Sequence, residues 1–181
     1  NINDFSKDKK KFKKNTKNLL KMIAKKFNKK KYKIFSNKLS RPQKKIFINW
    51  LVPKNWPNKA YPIEYWNNVI EELKNKTNYK IVWQKKNGDL NYLIKSIKNS
   101  EMVISVVSLA CHLAMLYNRK LVMLSGPNFF DDVKLYNKSK TIFPSKKCPV
   151  HKKQLNINYK YCFCMKNISP KKVSKVVINE L

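Results

Sequence analysis

Four residues near the C-terminal end of the 181-residue chain have the types and the spacing of a metal site. Cys148 and His151 are separated by two residues, and Cys162 and Cys164 follow with one residue between them. Thiolate and imidazole are the usual ligands of tetrahedral zinc, and the first pair has the spacing of a zinc knuckle. A structural zinc site is therefore one hypothesis. The others are reduced thiols that pack a loop, or one disulfide.

A second candidate is a histidine inside the longest apolar run of the chain, residues 102–116. His112 follows Ser108 by four residues, so a helix would place both on one face. A lone histidine on an apolar helix is usually a core residue, and Cys111 beside it is assigned to the core without chemistry. The run is too short and too interrupted for a membrane-spanning helix, which takes about 20 apolar residues. Without a spanning helix or a signal segment, we expect a cytoplasmic protein in a reducing compartment.

Strand-like and helix-like segments alternate from residue 45 onward, and these elements must position the candidate residues. Runs rich in β-branched and aromatic residues predict strands at 45–51, 79–84, 102–107 and 120–124. Helical spacing predicts helices at 62–75, 89–99 and 108–118. This alternation is typical of a parallel sheet with helices on both faces. We therefore predict a Rossmann-like α/β domain over residues 45–181.

Residues 1–44 form a segment of different composition. The first 45 residues hold 18 basic residues and two acidic ones. The spacing of Phe5, Phe12, Leu19, Ile23 and Phe27 predicts a basic amphipathic helix over residues 5–31. This appendage or linker either packs on a neighbouring domain or lies on an anionic membrane surface.

The formal net charge of +31 favours anionic partners such as nucleic acid, anionic lipid or lipopolysaccharide. Of the 41 basic residues, however, only Arg41 and Arg119 are arginine, as in the composition of an AT-rich genome. Nucleic-acid sites tend to use arginine for its planar fork, so nucleic acid is the less favoured partner. Gly88 and Gly126 are the only glycines, which excludes a dinucleotide fingerprint and a P-loop.

Four segments, in the right order, resemble the C-terminal domain of glycosyltransferase family 9, the heptosyltransferase-like enzymes of lipopolysaccharide core synthesis. The first is WPNKAYPIEYWNNVIEEL, and the second is SEMVISVVSLACHLAMLYNRKLVMLSGPN. CPVH with CFCM resembles the family's cysteine cluster, and ISPKKVSKVVINEL resembles its terminal helix. The resemblance spans residues 46–181.

The resemblance implies the GT-B fold, in which two Rossmann-like domains face each other across a cleft. The nucleotide-sugar donor binds mainly to the second domain, while the acceptor site and the catalytic base belong to the first. We therefore expect the chain to be a fragment, the donor-binding half, with an N-terminal acceptor domain missing. No residue of this half is assigned as catalytic, and the transfer requires no cofactor.

By the same resemblance, the donor-binding residues are Lys59, Ser108, His112 and Gly126. Lys59 falls on a lysine that contacts the donor pyrophosphate, where an ammonium offsets the charge of the leaving group. Ser108 and His112 lie at the start of a helix, where free N–H groups and the helix dipole favour phosphate. Because ligands bind beyond the carboxyl ends of parallel strands, we expect Lys59, Ser108 and His112 to surround one cleft.

The chain departs from the family at the turn before this helix. Val106-Val107 replace Asn-Asp, Leu109 replaces a glycine, and no acidic ribose contact follows Trp83-Gln84. The leading hypothesis is a half enzyme for inverting sugar transfer to a cell-surface glycan or lipopolysaccharide core, peripheral on the inner face of the plasma membrane. The alternative is a degenerate, non-catalytic module that binds RNA or anionic membranes. A structural subunit of a larger assembly is a third hypothesis.

Overall fold

Five parallel strands form the centre of the fold. A computed structural model of the protein describes residues 41–54, 56–126, 138–146 and 162–181. The strands are β1 (Gln43–Asn49), β2 (Lys80–Trp83), β3 (Ser100–Val106), β4 (Lys120–Leu124) and β5 (Ser139–Ile142). They pair in the order β2-β1-β3-β4-β5, and every neighbouring pair is parallel. The predicted Rossmann-like α/β fold is confirmed.

Helices follow the strands, as the alternating pattern predicts. They are α1 (Ile63–Lys76), α2 (Leu90–Asn99), α3 (Leu109–Leu116), α4 (Phe163–Lys166) and α5 (Pro170–Glu180). Two starts are fixed by side-chain caps: Asp89 accepts the Tyr92 N–H at 2.7 Å, and Ser108 accepts the Ala110 N–H at 3.2 Å. Such caps satisfy amides that have no partner inside the helix, so the sequence determines where α2 and α3 begin.

The core lies on both faces of the sheet. On one face, Trp66 and Leu73 of α1 and Val173 of α5 pack in a single buried cluster with alternate strand residues such as Ile46 and Ile48. Helices α2 and α3 pack against strands β1, β3 and β4 and against each other. Strands buried on both faces are continuously apolar, which is why their runs were recognisable in the sequence.

Strand β5 is absent from the four predicted strands. It pairs with β4 alone among the described residues, so it is an edge strand. In its sequence Ser-Lys-Thr-Ile only Ile142 is fully buried. Strand β2 at the other edge still has the apolar run Ile-Val-Trp, whereas the first three residues of β5 are polar, and the sequence pattern therefore missed β5.

All described residues belong to one unit, Ser40–Leu181. The predicted amphipathic helix over residues 5–31 lies outside the described residues and stays a prediction. Strand β1 begins at Gln43, two residues before the predicted start. Within the described part of the chain, no helix combines the length and apolar character needed to cross a membrane.

Candidate functional site

The candidate site lies where the chain reverses its direction across the sheet. From β1 the chain passes to β2 on one side, and it then returns to β3 on the other side of β1. The segment after the carboxyl end of β1 leads to α1, and the segment after the carboxyl end of β3 leads to α3. In open parallel sheets this topological switch point is where ligands bind. Asn49 ends β1 and Val106 ends β3 at this position.

A buried polar network joins the two strands at the switch point. The Asn49 side chain is only 3% exposed, and its Nδ2 donates to Ser105 Oγ at 2.9 Å and to Ser108 Oγ at 3.0 Å. The two serine oxygens lie 3.0 Å apart, and Ser105 Oγ donates to the Val106 carbonyl at 2.6 Å. Neither Asn49 nor Ser105 was predicted from the sequence. The sequence feature that could have identified them is a polar residue inside an otherwise apolar predicted strand.

Ser108 is the N-cap of α3 and is held by this network. Its Oγ accepts the Ala110 N–H, and its carbonyl accepts the Cys111 N–H at 3.1 Å. The hydroxyl that the sequence assigned to the donor thus has a structural role as well. It fixes the first turn of α3, and the positive end of the helix dipole therefore lies at the carboxyl ends of the strands.

Lys59 ends a short 3-10 turn, Pro57–Lys59, after β1. Its Nζ lies 4.1 Å from the centroid of the Trp56 ring. Burial lowers the pKa of Lys59 because the protonated form loses solvation. The turn that carries Lys59 follows β1, so it lies at the carboxyl ends of the strands, where α3 also begins. No carboxylate of the described residues forms an ion pair with Lys59.

The turn that carries Lys59 is anchored by a residue that is distant in the sequence. Tyr61 is buried, and its hydroxyl donates to the Ile168 carbonyl at 2.9 Å, between α4 and α5. Its ring also meets the rings of Tyr65 and Trp66 edge to face, with centroids 5.5 Å and 5.0 Å apart. These contacts fix the backbone two residues after Lys59.

His112 lies one helical turn after Ser108 on α3 and is partly exposed. Its neighbour Cys111 is fully buried, with Sγ 3.3 Å from the Val106 carbonyl oxygen. Burial raises the pKa of Cys111, so its sulfur stays protonated at neutral pH and is a poor nucleophile. This burial agrees with the assignment of Cys111 to the core. The donor-binding role of His112 stays a prediction.

Gly126 follows β4 at the same edge and has a packing role. A Cβ at this position would collide with the Met165 side chain, including a 2.9 Å approach to Met165 Cγ. The absence of a side chain therefore lets α4 pack against the end of β4. Its predicted contact with the donor is untested, and close helix packing explains the glycine without a ligand.

Several buried polar atoms at this edge have no hydrogen-bond partner among the described residues. They are Asn58 Oδ1, next to Lys59, Gln84 Oε1, just after β2, and Ser125 Oγ, just after β4. Buried polar atoms in folded proteins are nearly always paired, and exceptions are concentrated where a ligand or water completes the pairing. Gln84 lies where the family resemblance led us to expect an acidic ribose contact.

The predicted zinc site cannot be assembled from the described residues. Cys148 and His151 lie outside them, while Cys164 is buried in α4 and Cys162 immediately precedes that helix. No three metal-ligating side chains come together within the described ranges. A zinc site formed by Cys148, His151, Cys162 and Cys164 stays a prediction, and metal analysis of the purified protein tests it.

Comparisons with known proteins identify the fold. No family model matches the sequence, and neither does any curated protein sequence. Among solved structures, the chain is similar to Escherichia coli ADP-heptose lipopolysaccharide heptosyltransferase II, with a TM-score of 0.59 and 18% identity over 81% of this chain. It is also similar to E. coli heptosyltransferase WaaC with ADP, with a TM-score of 0.59 and 13% identity over 83% of this chain.

The chain spans 48% of the length of each of these two heptosyltransferases. At this level of identity the likeness establishes a shared fold. The predicted resemblance to a heptosyltransferase-like half is therefore confirmed at the level of structure.

Proposed function

We propose that this chain is the donor-binding half of a glycosyltransferase that transfers a sugar from a nucleotide sugar to a cell-surface glycan or lipopolysaccharide core. The observation that carries the proposal is the partly buried Lys59, which ends the turn after β1 at the carboxyl ends of the strands and has no carboxylate partner among the described residues. A partly buried cation without an anion is suited to bind an anionic ligand. The likeness to two heptosyltransferases supports the same class of ligand.

The site would act on the leaving group. During transfer, the bond between the anomeric carbon and the β-phosphate oxygen breaks, and its electron pair stays on the diphosphate. The acceptor hydroxyl forms the new bond and loses its proton. Lys59 and the positive end of the α3 dipole would stabilise the charge that grows on the diphosphate. We assign the acceptor site and the base to a second domain, which would work with this one at the inner face of the plasma membrane.

Adenine nucleotides are the first ligands to try, because one of the similar structures was solved with ADP. Gln84 Oε1 is an acceptor just after β2 with no partner among the described residues, so it could accept a ribose hydroxyl where an acidic residue is missing. The hydroxyl of Ser108 is committed to Asn49 and Ala110. Contacts from α3 to phosphate would therefore come through its backbone.

Titration calorimetry with ADP, ADP-glucose, and the corresponding UDP and GDP compounds tests the proposal. We expect one nucleoside diphosphate and its matching nucleotide sugar to bind. Lys59→Ala should weaken their binding by roughly 10-fold to 150-fold, or about 1.5 to 3 kcal/mol. The matched control is Lys74→Ala, an exposed lysine in the last turn of α1, which should have little effect.

Two outcomes would count against the proposal. If both substitutions weaken binding equally, only the diffuse positive charge of the chain is acting. If no nucleotide sugar binds but RNA or anionic vesicles do, with a steep dependence on salt, the chain is the degenerate binding module.

A further inference from the structure

The indole of Trp56 has no role in the core, although the chain's other three tryptophans do. Trp66 is fully buried, and Trp50 and Trp83 meet edge to face with centroids 5.9 Å apart. Trp56 is 41% exposed and contacts the Lys59 ammonium, with Nζ 4.1 Å from its ring centroid. A large aromatic surface thus lies open to solvent directly beside the cation that we assign to the diphosphate.

The position of Trp56 is fixed by its backbone. The Trp56 N–H donates to the Pro53 carbonyl at 2.9 Å, and the Lys59 N–H donates to the Trp56 carbonyl at 3.1 Å. Pro53 and Pro57 restrict the chain on either side of it. An aromatic side chain has only two rotatable bonds and loses little conformational entropy when a ligand packs on it, so such a residue is well suited to recognition.

We propose that Trp56 is the platform on which the transferred sugar of the donor packs, an inference that rests on the proposed function. In a nucleotide sugar the glycosyl ring is bonded directly to the β-phosphate, whereas the base is separated from the phosphates by the ribose. If Lys59 holds the β-phosphate, the neighbouring groups of the ligand are the glycosyl ring and the α-phosphate, and of these only the glycosyl ring has an apolar face that can pack on the indole beside Lys59.

The chemistry of the two surfaces is complementary. A pyranose has a face of C–H groups that carry a small positive charge because of the neighbouring oxygens. The face of an indole is negative, as its contact with the Lys59 ammonium shows. Packing the sugar against Trp56 would also remove apolar surface of both partners from water. Lys59 would bind the phosphate at the same time, so the Trp56-Lys59 pair would recognise the two sides of the scissile bond.

The test compares ADP with ADP-glucose, or whichever nucleoside diphosphate and matching nucleotide hexose from the panel bind. Trp56→Ala should weaken binding of the nucleotide hexose by roughly 5-fold to 20-fold, the loss expected for one aromatic contact with its buried area. Binding of the nucleoside diphosphate should stay the same or tighten slightly, because Lys59 loses its contact with the ring. Trp56→Phe should restore most of the affinity for the nucleotide hexose.

Controls separate this inference from the proposed function. Lys59→Ala should weaken both ligands, and Leu90→Ala, which removes an apolar side chain that is 42% exposed at the start of α2, should weaken neither. If Trp56→Ala weakens both ligands equally, Trp56 only supports the turn or contacts the ribose, and the inference is wrong. The inference is also wrong if Trp56→Ala weakens neither ligand. If neither ligand binds the unaltered chain, the proposed function fails and the inference with it.

Discussion

The polar groups at the two ends of the strands, the amino edge and the carboxyl edge of the sheet, have different partners. At the amino edge, where the strands begin, Lys120 Nζ lies 3.2 Å from Glu101 Oε1 and donates to the Leu181 carbonyl at 2.8 Å. Lys140 pairs with Glu180 at 3.2 Å. At the carboxyl edge, Lys59 has an aromatic ring and no carboxylate partner among the described residues.

This difference indicates what each edge is for. Paired charges at the amino edge hold the end of α5 to the sheet, which is a structural role. At the carboxyl edge the ammonium of Lys59 loses solvation without gaining an anion from the described part of the chain, so its protonated form is less favourable in the folded chain than in water. A folded chain retains such an arrangement most readily where a ligand supplies the missing partner.

The largest expected effect comes from breaking the polar network of the carboxyl edge. Asn49→Leu removes the donor shared by Ser105 and Ser108 and leaves the buried Ser105 oxygen and the partly buried Ser108 oxygen with fewer partners. We expect the free energy of unfolding to fall by about 2 to 4 kcal/mol. Urea denaturation measures it, and Asn75→Leu on the exposed surface of α1 is the control. Equal effects of the two substitutions would show that the network contributes nothing specific.

Substitution of Gly126 tests whether that residue serves packing or binding. Gly126→Ala forces its Cβ against Met165, and such overpacking should destabilise the fold by about 1 to 3 kcal/mol. Adding Met165→Ala to this variant should cost less than Met165→Ala costs in the unaltered chain, because the small side chain then fits. Additive losses in this double-mutant cycle would contradict the packing explanation.

The pH dependence of nucleotide binding tests the electrostatic contrast between the edges. An anion binds protonated Lys59 better, so its affinity should be constant below the pKa of Lys59 and fall above it by up to about 10-fold per pH unit. Burial lowers this pKa from 10.5, so the fall should begin at lower pH than for an ordinary lysine. Calorimetry with the bound nucleotide sugar from pH 7 upward measures it. A profile that Lys59→Ala leaves unchanged would assign the titration to another group.

The smallest effect is expected at the amino edge. Lys120→Met removes one partly exposed ion pair and one hydrogen bond, and we expect a stability loss of about 1 kcal/mol or less. Nucleotide binding should not change, because the site lies at the opposite ends of the strands. A large loss of nucleotide affinity in this variant would remove the distinction between the edges.

The sequence predicted the scaffold well and the site only in part. Of the five strands in the described part of the chain, four were predicted from apolar runs, and the starts of α2 and α3 were predicted from local patterns that begin at Asp89 and Ser108. These signals are local, because a buried strand and a capped helix are encoded by adjacent residues.

The contacts within the site were not predictable in the same way. Asn49 forms hydrogen bonds with Ser105 and Ser108, which are 56 and 59 residues later in the sequence. At Gly126 a side chain would collide with Met165. Lys59 is one of 39 lysines, and only the resemblance distinguished it. The open face of Trp56 depends on a turn whose geometry no periodicity reveals. Long-range packing decided each of these features.

The hydrogen bond from Tyr61 to the Ile168 carbonyl has a consequence for the order in which the domain is completed during translation. The two residues are 107 positions apart. A ribosome therefore synthesises the turn that bears Trp56 and Lys59 long before the residue that anchors it. A nascent chain that ends before Ile168 would contain every residue of the proposed site but would lack the hydrogen bond that anchors the turn. If the proposed function is right, only chains longer than this should bind the donor.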